Sequence, residues 1–145
     1  MRLIKMTDKM LKVGEDRGLT LDEFIGSMKG ERNGQFLVPK GWIGEGELGV
    51  SEAVSFSHKR EVKYVARTSS GREENNGRDS DKFPYKFRMD PTSIRKVKLA
   101  LDALQRRLDA LGTNLNLKGR GWTKIPETTE TLKMFEQIWD GGSPV

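Results

Sequence analysis

The nine residues Lys118-Gly-Arg-Gly-Trp-Thr-Lys-Ile-Pro126 set three cations, two glycines and a tryptophan side by side. Glycines at 119 and 121 let the backbone approach a phosphate, and Lys118, Arg120 and Lys124 supply the opposite charge. Trp122 has two open uses, as a stacking platform for a base or as an anchor in the core. Cations recur on two runs that alternate apolar and polar residues. In Arg60–Arg67, Val62, Tyr64 and Ala66 alternate with Lys63, Val65 and Arg67; in Phe83–Met89, Tyr85, Phe87 and Met89 alternate with Lys86 and Arg88. Paired as a hairpin, these runs would carry Lys63, Arg67, Lys86 and Arg88 on one face. Four cations about 5–8 Å apart repel one another unless an anion lies among them. The candidate nucleic-acid-binding set is therefore Lys63, Arg67, Lys86, Arg88, Lys118, Arg120, Trp122 and Lys124.

Other chemistry finds less support. Gly44-Glu-Gly-Glu-Leu-Gly49 matches GxGxxG, a pattern that binds dinucleotides only between a strand and a helix. Here Pro39 and Gly41 precede it, a strand-like run follows it, and two glutamates inside it would repel a pyrophosphate. His58 is the single histidine and there is no cysteine, so a structural zinc site lacks ligands. His58 reads as a polar residue at a strand edge. The carboxylates Glu45, Glu47 and Glu52, or Glu73, Glu74, Asp79 and Asp81, would hold Mg²⁺ only if folding gathered them. No catalytic residue, metal or cofactor is expected, and a metal-dependent nuclease has no specific signature. Asn33-Gly-Gln-Phe-Leu-Val-Pro-Lys40 resembles the opening of AbrB/MazE-type swapped-hairpin DNA-binding domains, and Leu48–Phe56 resembles a later part of that pattern. Gly41 stands where those domains carry an arginine, and the spacing differs, so no residue's role is carried over.

The elements that must position these residues follow from spacing and caps. A chain of 145 residues is the size of one domain. Thr7–Val13, closed by Gly14, predicts a short helix. Thr20-Leu-Asp-Glu23 is a capping box that opens a second helix ending near Gly30. Gln35–Val38 predicts a strand ended by Pro39, and Val50–Phe56 another. Thr68–Lys82 has no apolar side chain and predicts a mobile polar loop. Asp90-Pro91 reads as a helix start. Ile94, Val97, Leu101, Leu104, Leu108 and Leu111 then form one apolar stripe. The expected fold is α+β: a small antiparallel sheet, a long amphipathic helix at about 90–111 packed on it, and short terminal helices, the last over 128–140. One domain would cover 1–145, with the loop at 68–82 and a frayed tail at 141–145.

The net charge is +5, and it is clustered. Residues 59–67 hold four Lys/Arg against one Asp/Glu, and residues 83–112 hold seven against three. Clustered positive charge is the footprint of a polyanionic partner. No apolar run approaches the ~20 residues of a membrane span, and the lack of cysteine fits a reducing, cytoplasmic setting. The expected function is a non-enzymatic nucleic-acid-binding protein, DNA or RNA, with a regulatory or architectural role in transcription. The alternative is a phage-type regulator that docks on a large protein assembly such as RNA polymerase.

Overall fold

The alternation that starts at Arg60 does make a strand, but one of 14 residues that runs far past Arg67. The structure, a computed structural model, describes residues 1–8, 11–13, 17–40, 52–77, 79–118 and 122–145. In chain order its elements are β1 (Arg2–Lys5), β2 (Lys12–Val13), β3 (Arg17–Gly18), α1 (Leu21–Lys29), β4 (Gln35–Val38), β5 (Ala53–His58), β6 (Glu61–Glu74), β7 (Tyr85–Met89), β8 (Arg95–Ala100), α2 (Leu101–Ala110), β9 (Trp122–Lys124), α3 (Thr129–Asp140) and β10 (Ser143–Pro144). A single 3₁₀ turn, Pro91–Ser93, separates β7 from β8.

Eight strands form one mixed sheet in the order β10-β8-β6-β5-β1-β9, with β7 on the far half of β6 and β4 on β7. At about 3.3 Å per residue β6 is roughly 45 Å long, so one pair of neighbours cannot flank all of it. Its first half lies between β5 and β8, and its second half pairs with β7. Register shifts mark the change of partners. Phe56 faces Tyr64 and Ser57 faces Val62, which leaves Lys63 as the extra residue of a bulge. Bulges add local twist, and the sheet curls into a half-barrel. β1 runs parallel to β5 and antiparallel to β9.

The centre of the sheet, β1, β5 and the first half of β6, is buried on both faces. Ile4, Val54, Phe56, Tyr64, Ala66, Phe87 and Met89 pack with Leu21, Phe24, Ile25 and Met28 of α1. Phe36 links them, stacked on Phe87 at 5.1 Å and edge-on to Phe24 at 6.2 Å. Leu3, Ala53, Val62 and Val65 face the other way, onto Leu101, Leu104 and Leu108 of α2 and Met134 and Phe135 of α3. The helix α1 opens on the predicted capping box: Thr20 Oγ1 accepts from Glu23 N, and Glu23 Oε1 accepts from Thr20 N. It is tied to the sheet by the Tyr64 hydroxyl, which donates to Asp22 Oδ1. Burial, then the hydrogen bond to Asp22 and its charge, push the Tyr64 phenol far above its ordinary pKa.

The expected α+β fold with a small sheet and a long helix is overturned. The eight-stranded sheet is the main element, and residues 90–111 hold a 3₁₀ turn, a strand and a helix of 10 residues. The apolar stripe was ambiguous. In Arg95-Lys-Val-Lys-Leu-Ala100, Val97 and Leu99 also alternate with lysines, a strand period. The free edge of β6 decides between the two, because its backbone groups need partners that only a strand supplies. Asp90 does cap, but it caps the 3₁₀ turn, accepting from Thr92 N at 2.9 Å. Only Leu101, Leu104 and Leu108 are buried on α2, while Leu111 is 41% exposed.

Three smaller expectations also change. Residues 12–13 form a strand with 17–18, where a helix over 7–13 was expected. The polar segment expected as a loop from 68 stays in β6 to Glu74, paired with β7. The loop beyond it is closed by the buried Asn75, whose Nδ2 donates to Phe83 O and whose backbone N donates to Pro84 O. At the tail, Ser143 and Pro144 pair with Lys96 and Arg95.

One contact fixes where the α1 layer meets β7. Gly34 has φ +81°, donates to Met28 O at 2.7 Å and accepts from Met89 N at 2.8 Å. A Cβ there would lie 2.0 Å from Met89 O. Gly34→Ala therefore demands both a strained φ and a displaced strand, and should cost about 2–4 kcal/mol. A thermal melt checks it; an unchanged midpoint would mean that the junction is looser than drawn.

Candidate basic cleft

The carboxyl ends of the parallel strands β1 and β5 open onto a cleft of about 320 Å³. Its wall comprises Lys5, Met6 and Thr7 after β1, Ser57 and His58 at the end of β5, Lys59 and Arg60 in the turn to β6, Leu101 at the start of α2, and Lys118. In open α/β sheets the crevice beyond the carboxyl strand ends is the usual place for a ligand. Among the described residues that line it are four cations, and the carboxylate of Asp8 is held on one lining residue, His58. Among the described residues none of the four is held in an ion pair. Burial, then the nearby Arg60 guanidinium, lower the Lys5 pKa below the ordinary lysine value. That repulsion places two of the cations within electrostatic reach of each other.

The turn that carries Lys59 and Arg60 is itself unusual. Both residues lie in the left-handed region, with φ +50° and +64°, between the paired residues His58 and Glu61. A two-residue hairpin turn of this kind favours Asn-Gly, and a bulky side chain there costs about 1 kcal/mol or more. Strained backbone that displays two cations on a cleft is the kind of outlier that points to function. His58 beside it shares a 2.8 Å hydrogen bond between Nε2 and Asp8 Oδ1.

The structure scatters the sequence-derived set. Lys118 lines the cleft. Arg120 lies outside the described residues. Lys124 is exposed on the edge strand β9, opposite Arg2. Trp122 is 4% exposed and packs in the core, with the Arg2 guanidinium 4.9 Å above its ring. In this position its faces are closed to a base. Lys86 and Arg88 share one face of β7, where Lys86 is opposite Glu73 and Arg88 opposite Ser70. Lys63 sits half-buried at the bulge. Arg67 has turned to α3, ion-paired with Glu136 and lying over Phe135 and Trp139 at 5.2 and 5.9 Å. The proposed single stripe of Lys63, Arg67, Lys86 and Arg88 is thus divided, because β7 pairs with the half of β6 beyond Arg67.

Lys5, Lys59 and Arg60 were missed as site residues. The signal available was the run His58-Lys59-Arg60 between two strand patterns, in a turn position where cations have no packing role. Among the described residues no three His, Asp or Glu gather to hold a metal ion, and no helix is long and apolar enough to cross a membrane. Comparison with protein-family models, curated proteins and solved structures finds no match to the chain.

The position of Trp122 carries its own test. Trp122→Ala should cost about 3–5 kcal/mol of stability, as truncation of a core aromatic does. Denaturant melts measure it. A variant with unchanged stability would place the ring at the surface.

Proposed function

We propose that the protein binds nucleic acid through phosphate groups, with the basic cleft as its anchor, and that its role is regulatory or architectural. The observation that supports this reading is the convergence of Lys5, Lys59, Arg60 and Lys118 on one concave site. A convex basic surface would serve a protein partner equally well. A concave one with like charges in electrostatic reach favours an anion that enters it. Lys124 on β9 and the pair Lys86 and Arg88 on β7 are further cations outside the cleft. Phosphate contacts position a strand without reading its sequence.

Two measurements test the reading. In fluorescence anisotropy with DNA and RNA oligonucleotides, Lys118→Ala should weaken binding to every sequence by a similar factor. It should also make the slope of log K against log salt shallower by about 0.7–0.9. Absence of any binding at ~50 mM salt would end the nucleic-acid reading and leave docking on a protein assembly in its place.

The turn gives a second, sharper prediction. Replacing Lys59-Arg60 with Asn-Gly relieves two left-handed residues, so the double variant should melt higher, by about 1–3 kcal/mol of stability. It should at the same time bind nucleic acid more weakly than the wild type. Gain of stability with unchanged affinity would show that the turn is strained for some other reason.

A further inference from the structure

The cation arrangement says more than that phosphate is bound. We propose that the cleft is an end-binding site, which takes the terminal phosphomonoester of a nucleic-acid strand in preference to an internal phosphodiester. This inference rests on the phosphate-anchor reading and refines it.

The first ground is convergence. The four cations come from three separate parts of the chain: Lys5 ends β1, Lys59 and Arg60 form the β5–β6 turn, and Lys118 follows α2. They meet around one cavity and are not spaced along one strand or helix, as a track for successive phosphates would need. The second ground is charge. An internal phosphodiester carries one negative charge, whereas a monoester, with its second pKa near 6, carries about −1.5 to −2 at pH 7. Four cations with no ion pair among the described residues favour the more highly charged group. The third ground is size. About 320 Å³ is at the lower end of the range of small-molecule pockets, roughly 300–1,000 Å³, so the cleft suits one nucleotide unit better than a run of them. Met6 and Leu101 give its lining an apolar part on which a sugar or base can rest, while Thr7 and Ser57 add hydroxyls. A 5′-phosphate and a 3′-phosphate share this chemistry.

The test uses the full chain and one short single-stranded oligonucleotide with an internal fluorophore, prepared with no terminal phosphate, with a 5′-phosphate and with a 3′-phosphate. Anisotropy titrations give the three affinities. One phosphorylated form should bind at least about tenfold tighter than the unphosphorylated one, and which of the two does so identifies the end. Inorganic phosphate at millimolar concentration should erase that advantage. Arg60→Gly, which keeps the left-handed turn, and Lys118→Ala, which alters an exposed side chain, should each shrink the ratio toward one. Thermal melts of both variants confirm that they fold. Equal affinities for all three oligonucleotides would overturn end-binding while leaving the backbone-anchor reading intact. Failure of all three to bind at ~50 mM salt would overturn both.

Discussion

Everything in this fold answers to the hydrogen-bonding demand of β6. Fourteen consecutive residues in extended conformation present amide and carbonyl groups on two edges, and buried groups of this kind are almost always paired. One edge of the first half is met by β5 through a tight turn. The other is met by Arg95–Ala100, which is why that segment is a strand and why α2 starts only at Leu101. The second half takes β7, and β7 in turn takes β4. The bulge at Lys63 reassigns faces along the way: Val62 and Val65 go to the α2–α3 layer, Tyr64 and Ala66 to the α1 layer. One strand thereby serves two cores.

Local signals were legible where side chains alone decide. The Thr20–Glu23 box, the short helix behind Thr128, and the alternations at 60–67 and 83–89 all rest on neighbours in sequence. The rest depends on distant partners. Thr68–Glu74 has no large apolar residue, so nothing in its composition marks a strand; it is held by its ladder to β7 and by the closure at Asn75. The stripe from Ile94 to Leu111 satisfied both a period of two and a period of 3.6 in its first half, and the sheet edge broke the tie. Arg2–Lys5 is too short to announce a central strand, and it includes an arginine that is 0% exposed.

The same division runs through the site. Local composition singled out Lys118, because cations and glycines cluster around it. It could not show that Lys118 would meet Lys5 and the Lys59-Arg60 turn, since those residues lie more than fifty positions away. Nor could it show that Arg67 would be claimed by Glu136 and two aromatic rings on α3. A cation's availability is a tertiary property: it depends on which carboxylates and rings the fold brings near. Tryptophan follows the opposite rule, since its large apolar area is worth most when buried, and Trp122 is buried.

The position of β1 has a consequence for how the chain acquires its structure. Residues 2–5 pair on one side with 54–57 and on the other with 122–124. A strand made early is therefore completed only when a segment about 120 residues later has emerged. At about 5–20 residues per second of synthesis, that is a wait of roughly 6–24 s. Loop-closure entropy must be met over the same separation, and non-local pairing of this kind slows folding. During the interval β1 lacks its β9 ladder, and the Leu3 side lacks Ile125, Met134 and Phe135 of its layer. The strand order itself thus makes the β1–β9 ladder one that the chain cannot complete until nearly all of its residues have been made.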